Sequence, residues 1–200
     1  MNFELFTGLA LFALVASITP GPNNLMLMAS GANFGFRSTI PHMLGVGIGF
    51  TFMLLLVGVG LAQLFDAWPL SYLLLKVFSV SYLLFLACKI ATAAAPVSAT
   101  EEAVRGTPLS FTQAALFQWV NPKAWTMALT AVSVYSPSQS LGAVALVAAV
   151  FGSINLPSVS LWTLMGQQMR RLLTDQGRLT VFNWTMAVLL VASLYPVLAA

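Results

Sequence analysis

The sequence predicts an all-α membrane protein of six transmembrane helices, arranged as two inverted three-helix repeats, with helices 1 and 4 broken at proline motifs. Three observations predict it. The 200 residues are 59% hydrophobic and only 6% charged, with a mean hydropathy of +0.91, whereas a soluble domain devotes roughly a quarter of its residues to charge. No water-facing surface is built from so few charges, so the solvent that suits this chain is a lipid bilayer. Apolar runs of the length that crosses hydrocarbon, about 20 residues, recur between short polar punctuation. Two of those runs carry proline beside asparagine, a combination that interrupts a helix because proline lacks the backbone donor.

Windows of apolar residues, punctuated by Gly, Pro and charge, give the elements in order. Helix 1 is expected over residues 5–33, helix 2 over 41–64 and helix 3 over 68–90. Residues 91–108 are Ala, Ser, Thr and Pro with Glu101, Glu102 and Arg105, too polar to span and long enough to join two halves. Helix 4 follows over 109–135, helix 5 over 141–165 and helix 6 over 179–198. The whole of 1–200 is one transmembrane domain, with repeat one over 1–90 and repeat two over 109–200. The start, Met1-Asn2-Phe3-Glu4, lacks the basic region of a secretory signal, so helix 1 is expected to be retained. Three spans in each half make any repeat inverted across the membrane, a frequent transporter plan.

Orientation follows from the basic residues of short loops, which collect on the cytoplasmic side. Arg37, Lys89, Arg105, Arg170, Arg171 and Arg178 share one side. The other side, with the N-terminus, Asp66, the turn over 136–140 and the C-terminus, has no Lys or Arg in its loops. Both termini are therefore expected to face outward.

Composition also excludes functions. The net charge of +3 comes from eight scattered Lys and Arg, not the clustered basic face that nucleic acid requires. Cys88 is the sole cysteine, which removes intramolecular disulfides and multi-thiolate metal sites; no metal or cofactor is implied. With one His, no HExxH, no paired Asp cluster and no Ser–His relay, an enzyme is disfavoured. A channel or structural membrane subunit stays open as the alternative to a transporter.

The chemistry concentrates at the two breaks. Helix 1 carries Thr19, Pro20, Gly21, Pro22, Asn23 and Asn24, and helix 4 carries Asn121, Pro122 and Lys123 at the corresponding place of the second half. Irregular backbone at membrane depth persists only if buried in protein or facing a watery cavity. Each helix half restarting at a proline presents amide donors and a positive dipole end suited to a carboxylate, while the carbonyls ending the preceding half suit an ammonium. Paired breaks thus fit a zwitterion. Lys123, more than two turns from either end of helix 4, is expected to face that cavity, since an intramembrane charge is expensive. Asn155-Leu156-Pro157 gives helix 5 a third polar interruption, with Asn155 a secondary lining candidate. The plainer reading of each proline, a kink that only shapes packing, stays beside this one. Gly45 and Gly49 of helix 2 read as a close-packing pair, Lys76 as a snorkelling side chain and His42 as an interfacial residue at the cytoplasmic start of helix 2.

Thr19-Pro20-Gly21-Pro22-Asn23-Asn24, followed by Gly35-Phe36-Arg37 and the glycines of helix 2, resembles the LysE/RhtB family of amino-acid exporters. The resemblance continues through residues 76–89, through Phe117-Gln118-Trp119-Val120-Asn121-Pro122-Lys123-Ala124 and through residues 162–171, and so covers essentially the whole chain. It implies export of a small-molecule amino-acid substrate, or a close derivative, across a bacterial inner membrane, driven by the proton gradient. The Gly35-Phe36-Arg37 run and the Lys89-Ile90-Ala91-Thr92 ending are most similar to the branch that exports cysteine and O-acetylserine. In one departure, Phe182-Asn183-Trp184-Thr185 of helix 6 has no small glycine of the kind usual there, which bears on its packing and leaves a homo-oligomer open.

Overall fold

The computed structural model describes residues 3–61, 63, 67–68, 70–93, 107–136, 140–173, 175–195 and 198. All regular structure among them is helical. The helices are α1 (Phe3–Ile18), α2 (Pro22–Phe34), α3 (Phe36–Leu56), α4 (Leu70–Ala91), α5 (Phe111–Phe117), α6 (Pro122–Tyr135), α7 (Leu141–Met169) and α8 (Gln176–Ala192). Most of the expected linker, Asp66, Arg105 and the middle of the turn after helix 4 lie outside the described residues.

Helix 1 is two helices. α1 stops at Ile18, α2 starts at Pro22, and their axes bend by 52°. Helix 4 is likewise divided into α5, a single 3₁₀ turn over Gln118–Val120, and α6. Three helical stretches are long and apolar enough to cross a membrane unaided, Phe36–Leu61, Leu73–Ala91 and Leu141–Met169, and the bent pair α1 and α2 makes a fourth if counted as one span. α8 has 17 residues, about 26 Å at 1.5 Å each, short of the roughly 30 Å hydrocarbon core.

Two features differ from expectation for local reasons. The helix expected from Pro41 begins at Phe36, because Gly35 at φ 84 turns the chain out of α2 and directly into α3; this backbone favours glycine. Pro41 is carried inside α3. His42 consequently lies nearly two turns into the helix, 1% exposed, with neither ring nitrogen hydrogen-bonded. Pro157 does not interrupt α7, which runs unbroken over 29 residues. A lone proline removes one backbone bond, and here the hydroxyls of Ser158 and Ser160 donate to the Ile154 and Leu156 carbonyls beside it.

Two apolar cores organise the packing. One gathers Leu27, Val46, Leu83, Phe117 and Leu190 from α2, α3, α4, α5 and α8. The other gathers Leu9, Phe50, Met53, Ala128 and Phe151 from α1, α3, α6 and α7. α3 and α7 run through both, and the two breaks fall at the seam between them. Small residues set the spacing. A Cβ at Gly45 would run into the Phe111 carbonyl, and one at Gly49 would lie 2.6 Å from Ala115 Cα, so α5 sits directly on α3. Gly31 and Gly166 do the same for α2 against α7. On the outer surface Leu11, Phe52, Phe78 and Val181 are exposed, an apolar coat that water would penalise and lipid accepts.

The ends that carry basic residues come together. Asn33 and Asn183 exchange amide hydrogen bonds at 2.9 and 3.3 Å, Asn183 also donates to the Ala93 carbonyl at 3.1 Å, and Phe36 N donates to Gln167 Oε1 at 2.6 Å. The ends of α2, α4 and α7 and the start of α8 thus share one face of the bundle.

Candidate functional site

Breaking a helix leaves carbonyls without donors and amides without acceptors, and where those groups go defines the site. α1 ends in Ser17-Ile18-Thr19-Pro20-Gly21, and every carbonyl there has a donor. The Ser17 carbonyl accepts from Asn24 Nδ2 at 2.8 Å, and the Ile18 carbonyl from Trp162 Nε1 at 3.1 Å. Thr19 O accepts from both Asn24 Nδ2 and Lys123 Nζ at 2.8 Å. Pro20 O accepts from Lys123 Nζ at 3.3 Å, and Gly21 O from Leu25 N at 3.0 Å. Apart from that one backbone bond, the first break is therefore held by side chains from α2, α6 and α7.

The N-terminus of α2 contrasts with this. Gly21 precedes Pro22 in extended backbone and has no side chain, so no cap covers the first amides of α2. At the second break, Asn121 Oδ1 accepts from Lys123 N at 3.1 Å and caps α6. The 3₁₀ turn before it bonds Asn121 N to Gln118 O, and Trp125 Nε1 donates to the Trp119 carbonyl at 2.9 Å. The second break satisfies itself.

The two breaks meet. Asn23 and Gln118 form a reciprocal amide pair, Asn23 Nδ2 donating to Gln118 Oε1 at 2.8 Å and Gln118 Nε2 to Asn23 Oδ1 at 3.2 Å. Gln118 is fully buried and also donates to the Ala114 carbonyl. Beside this pair a cavity of about 20 Å³ is lined by Ser17, Gly21, Asn23, Asn24, Asn121, Lys123 and Asn155, with Phe50, Met127 and Val159 as apolar wall. That volume holds about one water, too little for an amino acid as the side chains stand. Asn155 donates to Ser17 Oγ at 3.2 Å, but its Oδ1 is buried with no hydrogen-bond partner, an acceptor facing the break without a donor.

Of the residues singled out from sequence, Gly21, Asn23, Asn24, Asn121, Lys123 and Asn155 line this cavity. Thr19 and Pro20 are exposed and meet it through the carbonyls that Lys123 holds. Pro22 and Pro122 set the starts of α2 and α6 and do not line it. Gln118 and Trp162 were not among the sequence candidates. A glutamine and a tryptophan N–H within apolar helices were the available signals, since buried polar groups need partners. Among the described residues no three His, Cys, Asp or Glu side chains gather as a metal site requires, and the one ion pair, Arg178 with Asp175, lies on the surface.

The family model of the LysE type translocator matches residues 14–192. The chain is 30% identical over 193 residues to the cysteine/O-acetylserine efflux protein of Escherichia coli (strain K12), covering 96% of each. It is equally similar to the protein of that name from Shigella sonnei (strain Ss046), and 30% identical over 90% of each chain to that of Shigella flexneri. No solved structure matches the chain.

Proposed function

We propose that this chain, which belongs to the LysE family of translocators, exports a small amino acid or a close derivative across the bacterial cytoplasmic membrane by alternating access around the two breaks. It is a transporter, not an enzyme. The observation that carries the reading is the small polar pocket at the first break, where the carbonyl end of α1 and the uncapped start of α2 face each other across three residues.

A zwitterion matches those two ends. Its carboxylate would take the free amides at the start of α2, where the helix dipole favours negative charge. Its ammonium would take the Thr19 and Pro20 carbonyls and the unpartnered Asn155 Oδ1. Phe50, Met127 and Val159 would close over a short side chain. The substrate class also follows the relatives, named as cysteine/O-acetylserine efflux proteins and alike over nearly the whole chain.

The finer architecture belongs to the same reading. The chain crosses the membrane six times as two inverted repeats, each beginning with a broken helix, and a homo-oligomer is compatible with it. The face that gathers the ends of α2, α4 and α7 also bears Arg37, Lys89 and Arg170, which supports a cytoplasmic assignment for it and periplasmic termini. Export runs by proton antiport. Purified protein in liposomes preloaded with labelled serine, O-acetylserine or cysteine should exchange at least one of them with saturation, faster with an opposing proton gradient. Absence of exchange for every small zwitterion would refute the reading, and a flux that never saturates would indicate a channel.

A further inference from the structure

We infer that Lys123 is an internal occupant of the ammonium subsite, which closes the empty carrier and is displaced when substrate binds. This rests on the transport reading above and names the device by which its site is shut. Three observations carry it.

First, an ammonium has three donors and no acceptor, and Nζ of Lys123 has three acceptors, Thr19 O at 2.8 Å, Thr19 Oγ1 at 2.9 Å and Pro20 O at 3.3 Å. All lie on the segment that ends α1. No donor remains for a substrate carboxylate, so in this state the side chain is not a carboxylate clamp. Second, its charge has no carboxylate partner among the described residues, where the one ion pair is Arg178 with Asp175. The carbonyl end of α1 is what faces it, and the negative end of a helix offsets part of such a charge. Third, Gly21 is fitted to it. At φ −178 the backbone of Gly21 suits any residue, yet a Cβ there would stand 2.6 Å from Lys123 Cδ and 3.1 Å from Nζ. The glycine leaves room for the lysine side chain to lie across the break.

A primary ammonium tethered at these carbonyls has the chemistry of an amino acid's own. Substrate ammonium and Lys123 therefore compete, and substrate entry releases Lys123. Its return, as the carrier resets, expels the substrate. Asn155 Oδ1, unpartnered in the closed state, is the extra acceptor that a substrate engages and Lys123 does not.

The test is equilibrium binding of labelled serine and O-acetylserine to purified Lys123→Met and Gly21→Ala, with exchange in liposomes measured in parallel. Removing the competitor should tighten binding of the better ligand at least about threefold in Lys123→Met, because the closed fraction no longer taxes affinity, while the maximal exchange rate falls. Gly21→Ala, which pushes the lysine aside without deleting it, should shift binding in the same direction. Ethylammonium should inhibit serine binding to Lys123→Met and have much less effect on the unaltered protein. Weaker binding in Lys123→Met, whatever its maximal rate, would make Lys123 a direct substrate ligand and overturn the inference. Unchanged binding in both variants would overturn it too. If the unaltered protein binds and exchanges no amino acid, the transport reading itself fails, a separable result.

Discussion

The two broken helices carry similar proline motifs and reach opposite solutions. The break at Pro122 closes on itself, with a 3₁₀ turn, an Asn121 cap and an indole N–H returned to a nearby carbonyl. The break at Pro22 does not. Its carbonyls rely on Asn24, Trp162 and Lys123, and its new helix starts uncapped behind Gly21. What distinguishes them is the residue ahead of the proline, since asparagine supplies a cap that glycine lacks. The self-satisfied break is thereby free to serve as a donor arm, sending Gln118 and Lys123 to the other. Polar groups that another segment must satisfy are ones a ligand is able to satisfy instead, which is why we propose the first break as the binding half.

That asymmetry has graded consequences. The largest effect is expected for Asn24→Leu, which strips the Ser17 carbonyl of its donor and Thr19 O of one of two. An unpaired buried group costs about 1–3 kcal/mol, so detergent-solubilised protein should melt several degrees lower and export should be lost. If stability and export both survived, the first break would not depend on its side-chain donors. A smaller effect is expected at the second break. Asn121→Ala removes a helix cap worth about 1 kcal/mol and should slow exchange severalfold with membrane insertion intact. Pro22→Ala, on the binding half, should slow exchange more than Asn121→Ala does. The reverse order in initial rates at equal protein would transfer the binding role to α6.

Much of this was legible in the sequence, because proline acts locally. Both breaks were readable from Pro20, Pro22 and Pro122, and Gly45 with Gly49 marked the close approach of α5 to α3. The failures are where neighbours decide. Pro157 resembles Pro122 in following an apolar run with an asparagine nearby, yet α7 continues through it within a tightly packed bundle. Pro41 reads as a helix start, yet the helix starts at Phe36 and carries His42 into the packed interior. The pairing of Asn23 with Gln118, 95 residues apart, and of Trp162 with the end of α1 depends on how the two halves dock, which local pattern does not encode.

The central claim, that the two breaks meet and that their meeting governs transport, is tested most directly by tying them together. With Cys88 replaced by serine, Asn23→Cys and Gln118→Cys would be bridged by a short bifunctional methanethiosulfonate, and labelled amino-acid exchange followed before bridging, after it and after reduction. The account predicts efficient intramolecular bridging, loss of exchange while the bridge holds and recovery once it is reduced. A pair that does not bridge, or a bridged protein that exchanges at its former rate, would contradict it.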